Sequence, residues 1–155
     1  MTLSFRLARP EEFPELEKMV IDAFEPITWM KKLEERAGPL NGIGWRARWQ
    51  SRMAAIFATQ AILVGRMDDR GVAFASGLID QQAAMGLVDI LAVRQEEQGK
   101  GYGRQMLRAM MQHFRDSGCR YVNLECLTDN DVGNALYASE GFTEVARQIR
   151  WFREL

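Results

Sequence analysis

The stretch LAVRQEEQGKGYGRQML, Leu91 to Leu107, holds the residue types and spacing best suited to gripping a charged ligand. A β-rich run breaks into a glycine loop, and the loop becomes a helix. Gln98, Gly101 and Gly103 occupy positions one, four and six of a Q-x-x-G-x-G pattern. Glycines so spaced let the backbone turn sharply and let a ligand approach with no Cβ in its way. The peptide N–H groups of the turn and of the helix start converge on one spot, where the helix dipole adds partial positive charge. Such a spot suits phosphate or pyrophosphate. Two common phosphate loops do not fit. A P-loop needs Ser or Thr after Gly-Lys, but Gly101 follows Lys100, and Arg94 stands where the first glycine belongs. A dinucleotide fingerprint needs a third glycine where this chain has Arg104 or Met106, although Glu125 lies about where a ribose-binding acid would.

Two further segments narrow the reading. Asn130 to Phe142 reads NDVGNALYASEGF, and Arg6 to Glu12 reads RLARPEE. With the loop, they resemble the ordered motifs of the GNAT superfamily of N-acetyltransferases. The pyrophosphate loop of that family, Q/R-x-x-G-x-G/A, is matched at every defined position. The later motif of Asn, Leu-Tyr and Gly-Phe is matched too, with Gly133 where the family usually has Ala. The opening R-x-A-x-x-x-D has Glu12 in place of Asp. The resemblance spans nearly the whole chain.

That resemblance implies an α/β (α+β) fold: a mixed, mostly antiparallel central sheet of about seven strands, with about four helices on its two faces. It also implies that the fourth and fifth strands start paired and then splay. The pantetheine arm of coenzyme A would lie in the gap against the backbone of Leu91, Ala92 and Val93. A splayed pair leaves backbone groups that the two amides of that arm can satisfy. Gln98, Gly99, Lys100, Gly101, Tyr102, Gly103 and Arg104 would hold the pyrophosphate, and acetyl-CoA would be the co-substrate, with no metal.

The chemistry implied is transfer of an acetyl group to an amine by direct attack in a ternary complex. No Cys or Ser stands in a nucleophile arrangement. Tyr137 lies seven residues after Asn130 and three after Asn134, so on a helix the three share a face. By resemblance, Tyr137 would donate a proton or hydrogen bond to the leaving thiolate, and Asn130, with Asn134 beside it, would bind the pantetheine arm or the phosphate region. A lysine-like amine, with pKa about 10.4, must lose a proton before attack, through a base or a water chain. Asp89 is the first candidate by resemblance, standing four residues before Val93 where some amine-acetylating members of the family carry an acid; strand alternation would put it on one face with Leu91 and Val93. Glu125, expected inside a half-buried fifth strand, is the second. Rival readings are a non-catalytic acyl-CoA-binding module and a nucleotide-binding protein. His113, about 15 Å along the helix from the loop, reads as structural. By resemblance, in which the first two helices border the acceptor site, Trp29, Trp45 and Trp49 could wall an acceptor pocket; the alternative is that Trp45 and Trp49 pack on the sheet.

The elements that must position these residues follow from periodicity. Phe5–Leu7 reads as a strand, residues 11 to 24 as an amphipathic helix, and residues 25 to 44 as a weakly patterned segment around a short helical stretch. Trp45, Trp49, Met53 and Ile56 line one face of a helix over residues 44 to 58. Ala61–Arg66, Val72–Asp80 and Leu87–Arg94 read as an antiparallel meander. Residues 104 to 117 form a helix that crosses to a parallel strand at Tyr121–Leu127. A helix over 131 to 139 and a closing hairpin, Phe142–Ala146 with Gln148–Glu154, complete the order. One domain over residues 1–155 is expected. A net charge of −1 suggests neither a nucleic-acid nor a membrane partner. With no apolar leader and with two thiols, Cys119 and Cys126, read as reduced and mostly buried, the expected place is the cytoplasm. An amine acceptor is the expected partner; a homodimer through the C-terminal strands is common in the family.

Overall fold

The β-rich runs between Ala61 and Val93 are joined by turns too short for a crossover, and they fold as the meander those turns dictate. The computed structural model describes residues 1–155, which form two compact units, Met1–Glu125 and Cys126–Leu155. In the first unit, β1 Ser4–Leu7, β2 Ala61–Met67, β3 Arg70–Asp80, β4 Met85–Val93 and β5 Tyr121–Leu124 make one sheet in chain order. The first three pairings are antiparallel, and β4 pairs with β5 in parallel. Helices α1 Phe13–Phe24, α2 Trp29–Ala37, α3 Trp45–Thr59 and α4 Tyr102–Asp116 complete this unit.

The buried stripes of α1 (Leu16, Met19, Val20, Ala23) and α3 (Trp45, Trp49, Met53, Ile56) pack in one core with Ile62, Val64, Phe74, Ile90 and Ala92. On the other side, α4 presses so close that a Cβ on Gly86 would come within 2.5 Å of Phe114, and one on Gly77 within 2.5 Å of Met110. Glycine at those two strand positions is what lets the helix approach. The weakly patterned segment yields a full helix, α2, because Thr28 caps it, its hydroxyl accepting from Met30 N–H and from Trp49 Nε1–H at 2.8 Å. Trp49 and Trp45 are thereby core residues, while Trp29 is half-buried. Glu34 at the far end of α2 caps α3, accepting from Trp45 N–H at 3.0 Å.

The opening RLARPEE motif closes on itself. Glu12 accepts from Arg6, from Arg9 N–H at 2.7 Å and from Arg66 at 3.4 Å, tying the turn Pro10–Glu12 to β1 and β2.

In the second unit, α5 Asp131–Ser139 forms as expected. The closing hairpin does not: no strand forms after α5, so the sheet has five strands rather than about seven, with five α-helices rather than four. A hairpin needs an apolar face to bury, and Val145, Ile149 and Trp151 are exposed. Glu144 and Arg147 instead satisfy each other three residues apart. The fifth strand is also shorter than expected, ending at Leu124. No helix is long and apolar enough to cross a membrane.

Candidate active site

The loop between β4 and α4 is anchored at its base by Gln98, whose Nε2 donates to the Val93 carbonyl at 3.1 Å. Lys100 pairs with Glu97 at 2.8 Å, and Arg70 at the start of β3 pairs with Glu96 and Glu97. Gly99 and Gly101 have φ of +79° and +83°, the left-handed region that side chains with a Cβ rarely enter. A Cβ at Gly101 would meet no protein atom within 4 Å, so the space in front of the loop is open. In the first turn of α4, Gln105 N–H donates to the Gly101 carbonyl at 3.2 Å, and the N–H groups of Tyr102 and Gly103 precede that bond. They have no intrahelical acceptor. The Tyr102 side chain is buried and anchors the helix start, so only its backbone can meet a ligand. Gly103 sits within the helix without a left-handed φ. Gln105 fixes the same turn from behind, accepting from Leu3 N–H and donating to the Met1 carbonyl.

β4 runs from Met85 to Val93, yet β5 pairs only with Met85 to Val88. Beyond Val88, Leu91, Ala92 and Val93 are paired with Ala75, Phe74 and Ala73 of β3 on one side and with no strand on the other. The pairing stops because β5 itself ends at Leu124, and this leaves that edge of β4 without a strand partner. An open strand edge leading into a glycine cradle at a helix N-terminus is the shape an amide-containing arm ending in pyrophosphate requires, so the residues present fit coenzyme A. The two clefts elsewhere in this unit, around Cys119 and Ser117, lie at the opposite end of α4.

Asp89 is held differently from the sequence expectation. Ser76 pairs with Ile90 and the next residue, Gly77, pairs with Val88, so Asp89 is the extra residue of a β-bulge. Simple alternation fails there: Ile90 and Ala92 belong to the α1–α3 core, which turns Leu91 and Val93 to the other face, away from Asp89. The Asp89 carboxylate is reached from the α3 side. Arg52 Nη2 donates to Oδ1 at 2.8 Å and Gln60 Nε2 to Oδ2 at 2.7 Å. Arg52 also lies over the Trp49 ring, 4.9 Å from its centroid. Arg52 and Gln60 were not singled out by the sequence reading. Arg52 gave one signal, three residues beyond Trp49 at the border of the buried stripe; Gln60 gave none, because its partner lies 29 residues away. Glu125 is corrected outright: it is exposed and lies one residue past the end of β5, not inside it.

In the second unit, Asn130 caps α5, its Oδ1 accepting from Gly133 N–H at 3.1 Å. Asn134 Nδ2 donates to the Leu127 carbonyl at 2.8 Å. A Cβ on Gly133 would lie 2.8 Å from Asn130 Nδ2 and 3.0 Å from Cys126 Sγ. That crowding explains glycine where the family usually has Ala. Tyr137 packs edge-on against Phe142, with centroids 6.0 Å apart. Burial, with the Cys126 thiol nearby, pushes its phenol up to about 12, so it stays protonated at neutral pH. Burial likewise raises the Cys126 thiol. Cys119 and Cys126 are unpaired and only partly buried. His113 stands in the last turn of α4, beside Phe114 and far from the loop.

The sequence profile described as the acetyltransferase (GNAT) family matches residues 23–142, and the chain belongs to that family. The match covers Asp89, the loop, Asn130 and Tyr137. N-alpha-acetyltransferase RimI of Mycobacterium tuberculosis is 39% identical over 66 residues, 43% of this chain and 40% of that protein. A mycothiol acetyltransferase of Geodermatophilus obscurus is 36% identical over 70 residues, 45% of this chain and 23% of that protein. The chain thus aligns with less than half the length of these relatives. Among solved structures, the fold is similar to aminoglycoside acetyltransferase AAC(6')-Iy bound to a coenzyme A bisubstrate analogue, with TM-score 0.69, 13% identity and 100% of both chains covered. It is also similar to the ribosomal-protein-S18-alanine N-acetyltransferase of Escherichia coli, with TM-score 0.70, 16% identity, and 93% of this chain and 79% of that one covered.

Proposed function

We propose that this chain is an acetyl-CoA-dependent N-acetyltransferase working on an amine acceptor in a ternary complex. The observation that carries the reading is the open edge of β4 leading into the Gly99–Gly101 cradle at the start of α4. Family membership and a fold shared with coenzyme A-bound acetyltransferases support it. The family profile runs through both units, which supports one functional domain over residues 1–155.

The backbone of Leu91, Ala92 and Val93 binds the pantetheine arm, and the Gln98–Arg104 loop binds the pyrophosphate through its N–H groups. Bound acetyl-CoA supplies an activated thioester, and attack by the acceptor amine leaves a thiolate. The Val93 N–H polarises the thioester carbonyl, an oxyanion-type contribution. Tyr137 donates the proton that the thiolate takes. Asp89 receives the amine proton, directly or through water; Glu125, exposed beyond β5, is the weaker alternative. Asn130 and Asn134 contribute to coenzyme binding; the first is oriented by its cap bond from Gly133 N–H and the second by its bond to the Leu127 carbonyl. No metal enters the reaction. Two unpaired thiols accord with a cytoplasmic setting. A homodimer would cover the exposed Val145, Ile149 and Trp151, and light scattering would reveal it.

The test is thiol release from acetyl-CoA against a panel of amines: polyamines, amino acids, aminoglycosides and peptides with free N-termini. Amine-dependent thiol release with acetylated product supports the reading; tight coenzyme binding with no turnover of any amine contradicts it.

A further inference from the structure

Two buried polar atoms of the first unit have no hydrogen-bond partner in the protein: Gln60 Oε1 and Ser76 Oγ. Buried polar groups of folded proteins are nearly always paired, with protein or with ordered water, so each orphan calls for a cause. The sheet register brings these two together. Gln60 directly precedes β2, and its Nε2 reaches Asp89 on β4, so its side chain must cross the one strand between them, β3. Two strand spacings make that crossing roughly 10 Å, within reach once the backbone approach is counted. The β3 residue paired with both Ile62 and Ile90, flanking the crossing, is Ser76. A Cβ at the adjacent Gly77 would point at Met110 and Phe114 of α4, so Ser76 faces the opposite way, toward α3. Phe74, two residues earlier, confirms that face by its edge contact with Phe57 of α3. The Ser76 hydroxyl is therefore on the face of β3 that the Gln60 side chain crosses, beside the bulge that carries Asp89.

The two orphans are complementary to one water molecule. A hydroxyl can donate to it, an amide oxygen can accept from it, and a second water hydrogen remains for a third acceptor. Buried waters typically make about three such bonds. The amide orientation is fixed by chemistry: turning Gln60 over would set its oxygen against the Asp89 carboxylate.

We infer that Gln60 and Ser76 hold one buried water, and that this water braces the Gln60 amide which, with Arg52, aims the Asp89 carboxylate. Gln60 and Ser76 are then positioning residues, acting through Asp89. The role in turnover rests on the reading of Asp89 as proton acceptor; the water site does not. Without the brace, the Gln60 carbonyl end has no anchor, and the amide that donates to Asp89 is free to shift, leaving Arg52 as the one fixed donor to that carboxylate.

A high-resolution crystal structure of the wild-type protein and of Ser76→Ala tests the site. Water density within hydrogen-bond distance of both Ser76 Oγ and Gln60 Oε1, lost in Ser76→Ala, is expected. A wild-type map with Ser76 and Gln60 bonded to protein groups alone overturns the inference. Steady-state kinetics of Ser76→Ala and Gln60→Leu test the role: kcat should fall about tenfold in each, with KM for acetyl-CoA unchanged. Wild-type kcat in both variants, with Asp89→Asn strongly impaired, overturns the positioning role. Wild-type kcat in Asp89→Asn instead overturns the assignment of Asp89, and the crystallographic result still decides whether the water is there.

Discussion

The loop at the start of α4 and the cluster around Asp89 solve opposite problems with the same sheet. In the loop, the backbone does the work: left-handed glycines, N–H groups ahead of the first helical bond, and an open strand edge all point outward. Around Asp89 the side chains do the work, and they point at one another: each carboxylate oxygen accepts one bond, from Arg52 and from Gln60, and keeps a further lone pair. A backbone site tolerates almost any side chain except where a Cβ would intrude. A side-chain site depends on partners brought in from distant elements. This contrast explains what the sequence revealed and what it concealed.

The largest expected effect tests the chemical half of the comparison. Tyr137→Phe removes one oxygen and keeps the ring against Phe142, so stability should change little. Proton transfer by a positioned group contributes ~100- to 10,000-fold. A loss of about 100-fold in kcat is expected, with coenzyme A affinity retained. Unchanged kcat with a confirmed acceptor would make Tyr137 a packing residue only.

The backbone half is tested by a matched pair of glycines flanking α4. Gly101 and Gly118 both have left-handed φ, +83° and +89°, and a Cβ at either meets no protein atom within 4 Å. Gly101→Val and Gly118→Val should therefore suffer similar strain, about 1–2 kcal/mol. Only Gly101→Val should lose coenzyme A affinity, by more than tenfold, about 1.4 kcal/mol. Equal affinity in the two variants would remove the loop from the site.

Periodicity exposed most of the fold because the helices and the meander each bury a regular face. It failed where pairing is long-range. The closing strands looked β-rich in Phe142–Ala146 and Gln148–Glu154, yet Val145, Ile149 and Trp151 are exposed and no ladder forms. The bulge at Asp89 is set by register with β3, which no local pattern records. The cradle was readable because glycine spacing is itself the mechanism. The Arg52 and Gln60 bonds to Asp89 were not, because they arise only when α3 and the start of β2 meet β4.

Smaller effects probe the scaffold that holds the two regions. Gly86→Ala puts a Cβ within 2.5 Å of the Phe114 ring, and overpacking of this kind costs about 1–3 kcal/mol. Denaturant unfolding should show that loss while the loop's affinity for coenzyme A survives. The smallest effect concerns Glu12, whose carboxyl is lowered from 4.5 to about 2, chiefly by its hydrogen bonds from Arg6. A carboxyl depressed by folding adds stability above its unfolded value and loses it as pH falls toward the folded one. Glu12→Gln should therefore lower Tm by about 2–4 °C above roughly pH 5, and the gap from wild type should close toward pH 2. A gap independent of pH would mean that the carboxylate charge is not what ties β1 to its turn.

The most direct measurement is a calorimetric titration of the wild-type protein with coenzyme A, NAD and ATP in turn. An open β4 edge running into the Gly99–Gly101 cradle predicts saturable one-to-one binding of coenzyme A, with no comparable binding of NAD or ATP. Binding of NAD or ATP without coenzyme A would contradict the account, because the loop would then serve a nucleotide that needs no open β4 edge.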